Sequence, residues 1–314
     1  MLPLALLGLG LSALHRVASS RLPARAPRAC RTAPEHAATR ALLQRWASSS
    51  FTQHLHDRIL IVAAHPDDEA LALGGALERT RDAHVLFLTT GSPRDERYAR
   101  TAGYPTREAY AAARCAEAEA ALAVANIPST RIHWLSDLDP RAVDRELTHH
   151  LSALTLALRA AIADIAPVLV VTHAYEGDHQ DHDAARYLVG AALKDLAAPP
   201  LLAEMLGYHA IQNRAGGLRG HTVGAFLDDG GECAVNLRIT DGERATKRMM
   251  IDRYTSQRSI LTPFASAREL LRPALAEIDF TFPPHHGRLH YETPSFRGED
   301  FRALVAEAEA EAAR

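Results

Sequence analysis

Two short clusters, Ala64-His65-Pro66-Asp67-Asp68-Glu69 and Asp178-His179-Gln180-Asp181-His182-Asp183, concentrate imidazoles and carboxylates in this chain. Each directly follows an apolar run that reads as a buried strand. Together they supply two imidazoles and a carboxylate for a divalent ion, with a second carboxylate and a third imidazole left for proton transfer. Such a donor set leaves a position for water, as catalytic rather than structural zinc does, and it also accepts Fe(II). An ion so held lowers the pKa of water toward about 7 and polarises a carbonyl. A spare carboxylate then takes the water proton, and an imidazole opposite stabilises an oxyanion or protonates a leaving nitrogen. This is the inventory of a metal-dependent hydrolase.

In the first cluster, Pro66 fits a first helical turn, with His65 at the exit from the strand. Asp67, Asp68 and Glu69 then occupy that turn, where the helix dipole favours negative charge. Neighbouring side chains there point about 100° apart, so one aspartate can bind an ion while the other faces substrate. In the second cluster, His179 and His182 share one face of a helix beginning near Gln180, and Asp181 is placed to orient an imidazole. The bland readings are a capped acidic helix start and a solvated polar loop. Placement of both clusters at the same end of one sheet favours a shared metal site.

The elements that must position them alternate in type. Short apolar runs at 58–64, 85–89, 131–135 and 168–172 read as parallel strands. Ala-rich stretches at 69–80, 106–125, 141–165 and 182–197 read as helices between them. The alternation implies right-handed crossovers and a doubly wound α/β fold, Rossmann-like, three-layered, with a mostly parallel central sheet. Ligand sites in such sheets lie beyond the carboxyl ends of the strands, where both clusters fall. Beyond Pro199-Pro200, residues 201–210 and 233–239 read as strands, 215–231 as a Gly-rich loop or hairpin, 243–260 and 266–277 as helices, and 282–287 as loop. The tail from Asp300 reads as an Ala/Glu helix.

With 314 residues, 47% hydrophobic and 23% charged, the chain has the composition of a globular protein with one substantial core. The net charge is −3, but residues 1–50 hold seven Arg, no Lys and one acid, which leaves −9 on the rest. So acidic a domain excludes a nucleic-acid backbone as partner. Three scattered cysteines suggest neither a disulfide framework nor a thiolate site. Residues 1–54 are expected to be an extension, with a disordered or over-called start weighed against a secretory or organelle-targeting segment. The apolar run 2–14 is too short to span a membrane, and a cytoplasmic location is expected. The domain itself is placed at 55–297 and the C-terminal helix at 298–314. Oligomeric state is not legible.

Other readings are weaker. A dinucleotide-binding oxidoreductase needs a Gly-rich phosphate loop, whereas Asp67 and Asp68 would repel a pyrophosphate and Gly74-Gly75 come too late. A phosphoesterase lacks a second metal's ligands and a phosphate clamp. A non-catalytic metal-containing sugar-binding module would not need Asp67. His149-His150 and His285-His286 default to surface or core placement.

Ala64 to Glu69 and Thr172 to Asp183 together resemble the PIG-L/LmbE family of zinc-dependent N-acetylglucosaminyl deacetylases, the first motif without change. The likeness runs from about 57 to 295 and includes Arg114-Cys115-Ala116-Glu117 and Tyr254-Thr255-Ser256-Gln257-Arg258. It implies an LmbE-like fold, Zn2+ held by His65, Asp68 and His182, Asp67 as general base, and His179, paired with Asp181, facing the oxyanion. It implies removal of the N-acetyl group from a GlcNAc-type sugar or glycoconjugate; another N-acyl substrate is the alternative. Relatives carry Gly and Pro where this chain has Asp178 and Gln180, and Asp where it has Thr90. Those departures fall near the loop holding Arg94, Asp95 and Arg97, which in relatives helps hold the sugar and for which solvated charge is the default here.

Overall fold

The computed structural model describes residues 34–50, 52–212, 218–223, 225–227, 234–274, 278–285 and 287–314. Residues 1–33 of the expected N-terminal extension, Cys30 and Cys233 lie outside them. In chain order the elements are α1 (Pro34–Ser48), β1 (Leu55–Ala63), α2 (Asp68–Leu73), β2 (Thr80–Phe87), α3 (Arg97–Thr101), α4 (Arg107–Val124), β3 (Ile132–Trp134), α5 (Leu135–Leu138), α6 (Leu151–Ile165) and β4 (Leu169–His173). There follow α7 (Gln180–Lys194), β5 (Leu201–Met205), β6 (Tyr208–Gln212), β7 (Leu218–Val223), β8 (Val235–Asn236), α8 (Asp241–Arg253), α9 (Arg258–Leu261), β9 (Leu270–Pro273) and α10 (Gly298–Ala312).

Seven strands form one sheet in the order β3-β2-β1-β4-β5-β9-β8, and β6 pairs with β7 in a separate hairpin. Strands β1 to β5 are parallel; β9 runs antiparallel to β5 and β8 antiparallel to β9. The apolar run of β1 is central because both its faces are covered. Ile59, Ile61 and Ala63 face one core with Leu43 of α1, Leu73 of α2, Leu122 of α4 and Met250 of α8. Leu60 and Val62 face the other, with Leu158 of α6, Leu188 of α7 and Phe301 of α10. Period-two alternation along the strand thus builds the three layers of a doubly wound α/β fold.

Several sequence expectations change. Residues 266–277, read as helix, hold strand β9: Ala203 pairs with Pro273 and Met205 with Leu271. Tertiary pairing overrides local propensity there, helped by buried Glu204, which accepts from Arg186 (2.7 Å) and from Arg272 of β9 (2.8 Å). The stretch 201–210 is two strands, broken at Leu206-Gly207, whereas 215–231, read as loop or hairpin, holds β7, which pairs with β6 as a hairpin. The helix expected over 141–165 starts only at Leu151, because an irregular loop with Arg145 at φ 67° precedes it. Helix α2 stops at Leu73, well short of residue 80.

Residues 34–48, placed in an extension by sequence, form α1 and pack into the domain. Leu43 and Trp46 are fully buried, and the Trp46 indole donates to the carbonyl of Ala76 at 3.2 Å. Among the described residues no helix is long and apolar enough to cross a membrane.

Candidate metal centre

The chain runs from β1 outward to β2 and β3, then returns to place β4 on the other side of β1. That reversal opens a crevice at the carboxyl ends of β1 and β4. His65 lies two residues beyond the end of β1, and His179 caps the helix that follows β4. The two clusters, more than a hundred residues apart in sequence, meet there.

Helix α2 begins at Asp68, and Asp67 is its N-cap with φ 124°. Pro66 therefore precedes the cap instead of occupying the first turn. A non-glycine residue in this backbone region stores about 1–3 kcal/mol of strain and persists only when its surroundings hold it. Here the Asp67 N–H donates to Glu69 Oε2 (3.1 Å), and Glu69 Oε1 accepts from the Tyr254 hydroxyl (2.5 Å). On the other side, Arg114 of α4 donates to the Pro66 carbonyl and to Asp67 Oδ2 (3.2 Å). The guanidinium passes so close over Gly91 that a Cβ there would lie 2.7 Å from it, and Gly91 has φ 66°. Only glycine fits that loop.

Asp68 is the hub. Its Oδ2 accepts the His65 backbone N–H at 2.8 Å and lies 3.5 Å from His65 Nδ1, while its Oδ1 lies 3.2 Å from His182 Nε2. Ligand atoms of His65, His179 and His182 lie within 4.8 Å of one another, as do those of Asp68, His173 and His182. His65 and His182 are thus within joint reach of one cation, with Asp68 beside both. The buried Nε2 of His182 makes no hydrogen bond, a donor atom aimed at a carboxylate with no proton acceptor other than that charge. An orphaned imidazole nitrogen facing a carboxylate fits a divalent cation.

His173, to which the sequence reading gave no role, stacks on His182 with ring centroids 4.0 Å apart. Its Nε2 accepts the Ala64 N–H at 3.1 Å and also lies 3.4 Å from Asp68 Oδ2. The signal available was its position as the last residue of β4. Asp181 also differs from expectation. Its carboxylate is not on His179: Oδ2 accepts the Arg145 N–H (2.6 Å) and faces His65 Nε2 (3.1 Å). What His179 receives, at Nδ1, is the backbone N–H of Asp181 at 3.2 Å, an N-cap contact. That leaves the proton of a neutral His179 on Nε2.

The electrostatics separate the acids. Burial pushes Asp67 up to about 7, with Arg114 opposing and Asp68 adding to the rise. For Asp68 burial acts upward too, but His182 and His173 outweigh it and hold the carboxyl well below its usual range. Burial drives His179 well below the usual imidazole range, helped by His65 and His182. One ionised carboxylate, one carboxylate poised near neutrality and one neutral imidazole surround a single cleft. The loop charges Arg94, Asp95 and Arg97 pair locally, Arg94 with Glu146 (2.7 Å) and Arg97 with Asp95. Cys115 is a free, partly buried thiol in α4.

Fold and site together define a doubly wound α/β protein with a buried His/Asp cluster, able to hold a cation, at the sheet's switch point. Residues 60–193 match the model of the PIG-L family, described as GlcNAc-PI de-N-acetylase. A 1D-myo-inositol 2-acetamido-2-deoxy-alpha-D-glucopyranoside deacetylase of Mycolicibacterium smegmatis is 32% identical over 149 residues, 42% of this chain and 51% of that protein. Its namesake from Rhodococcus opacus is 32% identical over 162 residues, 44% and 53% of the two chains. The chain thus spans about half the length of these relatives. Among solved structures, a triple mutant of the deacetylase of teicoplanin biosynthesis (TM-score 0.52, 22% identity) and the A40926 pseudoaglycone deacetylase Dbv21 (0.52, 21%) each cover 71% of this chain and 99% of their own. They share its fold.

Proposed function

We propose that the protein is a zinc-dependent hydrolase that removes the N-acetyl group from a GlcNAc-type sugar or glycoconjugate, with release of acetate. The observation that carries this reading is the convergence of His65, Asp68 and His182 beside Asp67 in the crevice between β1 and β4. The family match across both motifs and the deacetylase names of the curated relatives support it. In this reading His65, Asp68 and His182 hold the ion, which supplies polarisation of the acetyl carbonyl and activation of water when bound.

Asp67, near neutral in its pKa, accepts the proton of the attacking water as oxygen bonds to the carbonyl carbon. Its carboxylate is held by Arg114 at 3.2 Å. Arg114 opposes the upward push of burial on its pKa. His179 presents Nε2–H to the developing oxyanion. As the C–N bond breaks, the proton held by Asp67 passes to the sugar nitrogen, which leaves as an amine, and acetate is released. The donor set also accepts Fe2+. The cysteine spacing supports a cytoplasmic setting, which cell fractionation tests.

The test is acetate release from a panel of N-acetylated sugars and glycoconjugates by zinc-loaded protein, with a chelated control. Release from a GlcNAc-type amide that stops on chelation is expected. A zinc-loaded chain inert toward every member of the panel overturns the reading. With Asp67→Asn, zinc content should stay at the wild-type level while kcat falls by about 10²-fold or more; unchanged turnover would remove Asp67 from the chemistry.

A further inference from the structure

Asp144 lies in the loop between α5 and α6, in a stretch whose sequence gives no sign of a role in the site. Its side chain is buried, and its Oδ1 sits 3.4 Å from His65 Nε2 without a hydrogen-bond partner. The same nitrogen faces Asp181 Oδ2 at 3.1 Å. The loop is locked in place from the second cluster. Asp181 Oδ2 takes the N–H of Arg145, and the Gln180 side-chain amide donates to the Arg145 carbonyl. Arg145 holds φ 67° to permit this, and its guanidinium rests against the Tyr98 ring, 5.1 Å from the centroid. A left-handed non-glycine residue braced on both sides is a built feature.

Two carboxylate oxygens converging on one imidazole nitrogen are tolerated only if that nitrogen carries hydrogen, since both oxygens accept and neither donates. The proton of a neutral His65 therefore belongs on Nε2, and the lone pair on Nδ1, the atom that lies 3.5 Å from Asp68 Oδ2. Resting on the zinc reading above, we propose that Asp144 is a positioning residue for His65. With Asp181 it fixes the Nε2–H tautomer and the ring plane, so that Nδ1 faces the cation held by Asp68 and His182. Asp181 divides Oδ2 between His65 and Arg145, whereas Asp144 Oδ1 has the imidazole alone. Outer carboxylates of this kind raise the basicity of a metal-bound imidazole. Gln180 contributes as well: its amide holds the loop that carries Asp144.

The same three side chains, His65, Asp144 and Asp181, also bring one ligand atom each within 4.8 Å, so a second cation there is the rival outcome. The experiment measures zinc stoichiometry by elemental analysis, zinc affinity by competition with a chromophoric chelator, and the His65 tautomer by 15N shifts in selectively labelled protein. Wild type should hold one zinc per chain with Nε2 protonated. Asp144→Ala should weaken zinc binding about 10- to 100-fold and lower the fraction of the Nε2–H tautomer, with Asp181 left as its sole carboxylate partner. Asp144→Asn, isosteric and folded wherever the alanine variant is not, should keep the tautomer through its amide oxygen while losing part of the affinity. Two ions per wild-type chain, an Nδ1–H tautomer, or zinc affinity within about twofold of wild type in both variants overturns the inference. A wild-type chain that binds no zinc refutes the functional reading instead, and the two failures are thereby distinguished.

Discussion

Asp67 and Arg114 set the acidity of the site between them, and the sign of that coupling is testable. Arg114 lowers the pKa of Asp67 against the upward push of burial. Arg114→Met removes the cation, so ionising Asp67 requires higher pH, and the acid limb of the kcat/KM profile should move alkaline. An acid limb that stays in place or moves acid would show that Asp67 is not the group titrating. The backbone at Asp67 adds a second constraint at this scale. Tyr254→Phe removes the hydroxyl that holds Glu69, and kcat should fall with zinc content intact, because Glu69 is what retains the Asp67 N–H. Both motifs were legible as chemistry from residue type alone. The backbone conformation of Asp67, the partner of Asp181 and the role of His173 were not, since each is fixed by contacts with segments distant in sequence.

At the level of elements, strands with both faces buried announced themselves as continuous apolar runs, and β1 and β4 sit close to where the sequence put them, while β2 begins five residues earlier, at Thr80. Strand β9 did not, for a physical reason. Residues 270–273 carry Arg272, whose place in the sheet depends on Glu204 in β5, and no local pattern encodes a partner 68 positions away. The buried set of Glu204, Arg186 and Arg272 is correspondingly exposed to mutation. Glu204→Gln leaves two buried guanidinium groups underpaired, and a loss of about 3–5 kcal/mol is expected in denaturant unfolding at neutral pH. Burial acts to raise the Glu204 pKa, but Arg272 and Arg186 outweigh it and hold the carboxyl below its ordinary value. A depressed carboxylate contributes stability above its unfolded pKa and loses it as pH falls through the folded value. The gap between wild type and Glu204→Gln should therefore narrow below about pH 4. A gap constant down to pH 3 would contradict the assignment of charge to Glu204.

For the molecule as a whole, the boundary of the folded unit lies earlier than sequence composition suggested. Helix α1 is Arg- and Ala-rich and reads as a tail, yet it fills the core with Leu42, Leu43 and Trp46. Trp46→Ala should cost about 3–5 kcal/mol, and thermal unfolding of that variant near the wild-type midpoint would show α1 to be an appendage. Loading with zinc should in turn raise the unfolding midpoint, by about 2.7 kcal/mol of stability at a free concentration 100 times Kd, and chelation should reverse it.

The reversal of strand order between β1 and β4 also sets a timetable for biosynthesis. His65 and Asp68 leave the ribosome more than a hundred residues ahead of His182, and the edge of β5 then waits for residues 270–273 to cover it. In the zinc reading, a nascent chain holds two of the three ligands, His65 and Asp68, until α7 brings His182 to them. In the zinc reading proposed above, metallation follows synthesis of the second cluster, and starvation for the ion should leave a folded, inactive pool that is rescued by adding zinc after synthesis has stopped.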